Sequence, residues 1–182
     1  MVKKVLVMLV ILCIGLGVVI TLQPDSYTVQ RSVSMTASPA AVFAQVNDFA
    51  AWDRWSPWKR FDPNPKVAIS VPSAGKGAIF SWSGNDRIGE GRLTILHSED
   101  PELVVVEQTF VRPFAGTTRM EFAMVPQGGR TVVTWKMFGN NDFFGKAMCL
   151  AVDMDAKLGK DFTQGLANMR AVVEKGGSLS AR

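Results

Sequence analysis

Two cysteines, one histidine and one tyrosine in 182 residues leave few of the side chains on which enzymes usually build a reaction centre. Cys13 lies in an apolar N-terminal run and Cys149 near the other end, so no intrachain disulfide is expected and a disulfide-stapled scaffold is excluded. One histidine with two separated cysteines is too little for a zinc site, and neither metal nor cofactor is expected. No GxSxG elbow is present, and Gly84, Gly89 and Gly91 do not form a phosphate-cradling loop. His97 would need a nucleophile and an orienting partner to act as a base; beside Ser98-Glu99-Asp100 it reads as a solvated side chain. Excess charge of one sign is also lacking. The formal charge is +4, but setting aside Lys3 and Lys4 leaves 18 basic against 16 acidic residues, with no clustered basic face, so nucleic acid is not an expected partner. Internal repeats and low-complexity segments are absent.

What is present begins with a basic Met1–Lys4 and an apolar run of 18 residues from Val5 to Leu22. At 1.5 Å per residue such a run reaches across a hydrocarbon core of about 30 Å. It ends in VVITLQPDS without a small-x-small cleavage site, and Leu12 precedes Cys13 where a lipoprotein signal needs a small residue. An uncleaved signal anchor over residues 1–24 is therefore expected, followed by one folded domain over 25–182. Lys3 and Lys4 before the span place the N-terminus in the cytoplasm and the domain in the periplasm or outside the cell. Gly15 and Gly17 lack the GxxxG spacing of a dimerising span.

At the other end, Phe143 to Lys175 reads as one long amphipathic helix. Leu150, Met154, Leu158, Phe162, Leu166, Met169 and Val173 recur at three- and four-residue steps on one face. Asn140, Asn141 and Asp142 offer a cap, and Gly176-Gly177 a stop. A helix of this kind needs a partner surface.

Between the two lie the pieces of a sheet. Tyr27–Thr36 alternates as a half-buried strand. Ser38-Pro39 opens a short helix as N-cap and first helical residue, and a second covers Phe49–Trp55. Six strands follow, at Val67–Val71, Gly77–Ser83, Ile88–Ile95, Leu103–Phe110, Thr117–Val125 and Arg130–Phe138, separated by turn chemistry such as Gln127-Gly128-Gly129. Short breaks join antiparallel neighbours, so the fold class is α+β with a meander.

Ser38-Pro39-Ala40-Ala41-Val42-Phe43, Trp52-Asp53-Arg54-Trp55-Ser56-Pro57-Trp58, Val133-Thr134-Trp135, Asp161-Phe162 and Gly165-Leu166 together resemble the SRPBCC or START-like superfamily, and within it the polyketide-cyclase-like members, over about residues 27–175. The resemblance implies a helix-grip fold: a seven-stranded antiparallel sheet wrapped around the last helix, with a hydrophobic cavity between them. The superfamily hosts carriers, cyclases, hydrolases and receptors, so fold alone does not give function.

On this reading an apolar ligand would meet Phe80, Trp82, Phe122, Trp135 and Met137 on the strand faces, and Met148, Val152, Asp155 and Leu158 on the helix. Trp52 and Trp55 share one helix face, where packing, cavity lining and contact with lipid headgroups are all open. Asp153 and Asp155 point about 200° apart, so only one can face inward; Asp155 is the better candidate for a polar or catalytic group. Gln108, Thr134 and Arg119 are mid-strand polar residues expected on the outer face. Gly159 and Gly165 weaken the helix and mark a bend, a close contact or a hinge. Three functions follow. The first is membrane-anchored binding of a hydrophobic small molecule or lipid. The second is a cyclase- or hydrolase-type enzyme on an apolar carbonyl substrate. The third is an accessory subunit partnered with a larger membrane protein.

Overall fold

A computed structural model describes residues 2–180; Met1 and residues 181–182, the outer ends of the expected anchor and domain, lie outside the described residues. Helix α1 spans Val2–Thr21. Strand β1 (Ser26–Met35) leads to α2 (Pro39–Asn47) and two 3₁₀ turns, Phe49–Arg54 and Pro57–Arg60. Strands β2 (Lys66–Ile69), β3 (Ile79–Ser83), β4 (Glu90–Glu99), β5 (Leu103–Arg112), β6 (Gly116–Gln127) and β7 (Arg130–Asn140) follow, then α3 (Phe143–Ala151) and α4 (Met154–Ser180). The sheet has seven antiparallel strands in the order β1-β7-β6-β5-β4-β3-β2. This is the helix-grip arrangement: the meander runs from β2 to β7, and β1 closes onto β7. Irregular register in β4, between Glu90 and Gly91 and between Ile95 and His97, bends the strand and helps the sheet curl.

Local chemistry explains the element ends. Ser38 accepts a hydrogen bond from Ala41 N at 3.3 Å with Pro39 behind it, as expected. Asp48 caps the first 3₁₀ turn through Ala50 N, 2.9 Å away. Gly128 and Gly129 both take positive φ, 57° and 75°, in the β6–β7 turn, where a Cβ would be strained.

The C-terminal helix differs from expectation in two respects. It is two helices, because Val152 is extended (φ −136°, ψ 125°). Asp153 then starts α4 afresh by accepting from Ala156 N at 2.9 Å. Asp153 is thus an N-cap in the middle of what reads as one apolar stripe. Leu150, placed on that stripe, is consequently exposed. The helix also continues through Gly176-Gly177 to Ser180 rather than stopping there.

The core lies under α4, which runs across β1 and β7 while α2 crosses β5 and β6. Phe162, Leu166, Met169 and Val173 seal it from the helix side, with exposures of 0%, 1%, 0% and 6%. Gly165 is a point of close approach rather than a hinge. A Cβ there would stand 2.8 Å from the Trp135 ring and 3.1 Å from Pro57. Ala gains about 1 kcal/mol of helix propensity over Gly, whereas overpacking costs about 1–3 kcal/mol. Both neighbours are rigid rings held in the core, so Gly165→Ala is expected to destabilise. Urea unfolding followed by tryptophan fluorescence checks this; a raised midpoint would show that the site had room.

Candidate functional site

Strand register sorts the sheet's side chains into two faces. On the inner face, Tyr27, Val29, Arg31, Val33 and Met35 of β1 lie opposite Gly139, Met137, Trp135, Val133 and Thr131 of β7. Met120 and Phe122 of β6 continue the rows from Met137 and Trp135. Val104, Val106 and Gln108 extend them on β5, and Leu93 and Phe80 lie beyond Gln108.

This face is divided. Under α4 it is closed by rings: Trp52 and Trp55 (3% and 0% exposed) are 4.9 Å apart at their centroids. Phe122 and Trp135 are 4.9 Å apart, and Phe162 stacks on Trp135 at 4.2 Å with planes 8° apart. The indole N–H groups of Trp52 and Trp55 donate to the carbonyls of Val46 and Gln45. Trp52, Trp55, Phe122 and Trp135, which the sequence nominates for a ligand, therefore fill one another's space. Among their three open readings, Trp52 and Trp55 take the packing one.

Toward the ends of β3, β4 and β5 near α3 the same face is less covered. Phe80, Trp82 and Phe110 are only half-buried, as are Tyr27 and Leu158. The Trp82 ring lies over Gly91, where a Cβ would be 2.5 Å away, and its edge meets Phe110 at 5.8 Å. Trp82 is fixed by donating to Ile88 O at 3.0 Å. Met137, 4% exposed, lies between the two halves. Met148 on α3 is 36% exposed, and Val152 at the α3–α4 joint is half-buried.

Gln108 sits in this open half. It was expected on the outer face, but pairs with Leu93 and Thr118 on the inner one and is 7% exposed. Its Oε1 is buried without a hydrogen-bond partner among the described residues. Such a group carries an uncompensated desolvation cost of about 1–3 kcal/mol. Next to it, Tyr27 donates to Thr118 Oγ1 at 3.1 Å, and Thr118 donates on to Phe138 O at 2.8 Å. The open half of the inner face thus carries a short polar strip in an apolar surround. Gln45 Oε1 and Trp135 Nε1 are also buried without partners among the described residues, but the Trp135 ring is enclosed by Trp55, Trp58, Phe122 and Phe162. Thr134 and Arg119 face outward as expected: Thr134 hydrogen-bonds Ser32 at 2.8 Å, and Arg119 is exposed.

Asp155 has a structural partner. Arg31 reaches it from β1 with both terminal guanidinium nitrogens, each 2.9 Å from a carboxylate oxygen, and also donates to its backbone carbonyl at 3.1 Å. Gly159 leaves the space in which that guanidinium lies. The hydrogen bonds from Arg31 hold the Asp155 carboxyl below its ordinary value, and the same contact raises Arg31. A depressed carboxyl stabilises the fold above its unfolded pKa, and the contribution fades as pH falls through the folded one. With Arg31 at 32% and Asp155 at 59% exposure the pair is screened, so the effect is small. Asp155→Asn is expected to lower the urea midpoint slightly at pH 7 and not at pH 2; an equal gap at both would show that the pair is not the cause. His97 stands 3.5 Å from Glu99, both exposed, as expected for a solvated side chain.

There are two open surface grooves, of about 520 and 500 Å³: one over the outer face of β2–β5, which also touches Trp82 and Gly91, the other beside the β6–β7 turn. Neither lies between sheet and helix.

Residues 26–174 match the family described as polyketide cyclase/dehydrase and lipid transport. The chain belongs to this family. No curated protein matches it in sequence. Among solved structures, CV1439 from Chromobacterium violaceum aligns with a TM-score of 0.57 at 17% identity, covering 83% of this chain and 99% of that one. The Aha1 dimer from Colwellia psychrerythraea gives 0.58 at 14%, over 81% and 96%. The di-domain ARO/CYC StfQ of the steffimycin biosynthetic pathway gives 0.60 at 8%, over 84% of this chain and 52% of that one. At these identities the likeness is one of fold. Of the polyketide-cyclase family's architecture, this chain keeps the sheet and the gripped helix and has α1 in front of them. Helix α1 is long and apolar enough to cross a membrane or act as a signal anchor, with mean hydropathy 2.7.

Proposed function

We propose that the open half of the inner face binds a hydrophobic small molecule or lipid, in a domain that α1 holds at the membrane. The observation that carries this is Gln108: a buried amide oxygen without a partner, set among half-buried aromatic rings on a face that is otherwise closed. An apolar pocket with few polar groups is the usual design of a small-molecule site, desolvation giving affinity and the polar group orientation. Phe80, Trp82, Met137, Met148, Val152 and Leu158 supply the apolar wall, and Gln108 accepts a hydrogen bond from a hydroxyl or amide of the ligand. The family's description, which includes lipid transport, supports the same class of ligand. Lys3 and Lys4 before the span support an orientation with the N-terminus in the cytoplasm and the binding domain on the far side.

Asp155 is not a catalytic group on this reading, because its carboxylate is held by Arg31 in an exposed ion pair. The family's cyclase and dehydrase members keep a reaction on an apolar carbonyl substrate as the second reading. Gln108 and Thr118 would then orient the carbonyl compound. Native mass spectra of the full chain released from its membrane distinguish occupied from empty protein. An adduct of a few hundred daltons is expected, and bare protein in every preparation would overturn the proposal.

A further inference from the structure

We propose that α3 and the β5–β6 turn form a docking surface that lies in the headgroup layer of the membrane that α1 enters. This rests on the anchor reading of α1. The connection from α1 to the sheet is short: α1 ends at Thr21 and β1 begins at Ser26. Strand alternation then fixes which turns lie near the anchor. Ser26 pairs with Asn140, the last residue of β7. Phe110 pairs with Gly116, so the β5–β6 turn is at that end too.

Helix α3 follows from Asn140 and packs beside the last turns of α1, where Ile20 is 8% exposed. The attachment is specific. Lys146 Nζ lies 2.5 Å from Asp25 and donates to Thr21 O at 3.2 Å, capping a C-terminal carbonyl of α1. Asn141 donates to the carbonyls of Pro24 and Asp25 at 3.1 and 2.8 Å. A helix tied to the last residues of a span stands at the depth where that span leaves the hydrocarbon.

At that depth the chain exposes large apolar side chains. Phe143, Phe144 and Leu150 of α3 are 58%, 49% and 43% exposed, and Phe114 of the β5–β6 turn is 58% exposed. Phe114 and Phe144 lie ring to ring at 4.8 Å, which joins turn and helix into one patch. A contiguous apolar patch is costly in water and stable when sunk into the headgroup and upper acyl region. Helix α3 packs on α1, so the patch lies beside a span that a bilayer would surround, and bilayer lipid is its occupant. Phe80, Trp82 and Phe110 lie toward the same end of the sheet, and a ligand would reach the open half from the bilayer side.

Spin labels placed in the full chain test this, in a Cys13→Ser, Cys149→Ser background reconstituted into phosphatidylethanolamine and phosphatidylglycerol vesicles. Labels go at Leu12→Cys in α1, Phe144→Cys in α3 and Val71→Cys, which lies beyond β2 and is fully exposed. Collision with oxygen is expected to exceed collision with an aqueous nickel chelate at positions 12 and 144, and the reverse at 71. If position 12 is lipid-protected but 144 behaves like 71, the docking surface is wrong and the anchor stands. If 144 is shielded from both agents, a protein covers the patch and the lipid proposal fails. If position 12 is accessible to the chelate, the anchor reading fails and takes this inference with it.

Discussion

Phe162→Ala is expected to lower the unfolding free energy by about 3–5 kcal/mol, a large part of the roughly 5–15 kcal/mol that holds a domain of this size. The ring is fully buried and stacks on Trp135 at 4.2 Å. Lost transfer energy is only the first part of the cost. The vacated space is walled by Trp135, which is itself pressed from other sides by Trp55, Trp58 and Phe122. These rings cannot easily collapse into the hole, so the cavity term persists. An aromatic pair adds about 0.5–1.5 kcal/mol beyond area burial. Phe162→Leu keeps most of the volume and is expected to lose less than half as much. Urea unfolding of both variants checks the pair; a loss below about 1 kcal/mol for Ala would show that the closed half is loosely packed.

Gln108→Leu is expected to act in the opposite direction on stability and to damage binding. Replacing a buried acceptor that has no partner removes a penalty of about 1–3 kcal/mol, so the urea midpoint should rise. The same change removes the unpartnered acceptor that a ligand donor would meet. Loss of a hydrogen bond worth about 1.4–2.8 kcal/mol weakens binding ten- to a hundredfold. Opposite signs are the mark of a residue kept for function at the expense of stability. Val106→Ala is the control: Val106 is buried in the neighbouring row of β5, and its truncation should lower stability. The proposal for Gln108 is contradicted if Gln108→Leu lowers the midpoint and leaves ligand retention unchanged.

Much of the fold was legible because it rests on local chemistry. Period-two alternation, the Gln127-Gly128-Gly129 turn and the Ser38-Pro39 helix start each act over a few residues, and each appears in the structure where the sequence puts it. The break in the C-terminal helix was hidden by a coincidence of spacing. Leu150, Met154, Leu158 and Phe162 keep a four-residue step straight through Val152-Asp153, and nothing in that step marks Asp153 as the start of a new helix. A capping aspartate three residues ahead of Ala156 was the available signal.

The candidate site was less legible. Aromatic residues were the visible feature, and the structure commits Trp52, Trp55, Phe122 and Trp135 to one another. Val104, Val105 and Val106 give no parity, so Gln108 reads as an outer-face residue although it lies on the inner one. Glu107 does give parity: a charged residue belongs outside, which turns Gln108 inward. Asp155 could not be paired from sequence, since Arg31 lies 124 residues away. Of the bend, close contact or hinge open at Gly159, the structure shows a close contact, which leaves room for that arginine.

Photo-crosslinking the full chain in vesicles with a diazirine-bearing fatty acid, and mapping the labelled peptides, tests the location of the site most directly. Label is expected in the segments that carry Phe80, Trp82 and Phe110, reduced in Gln108→Leu, and missing from the segment around Trp55. Label confined to the closed half or to the groove beside the β6–β7 turn, or insensitive to Gln108→Leu, would contradict a ligand site on the open half of the inner face.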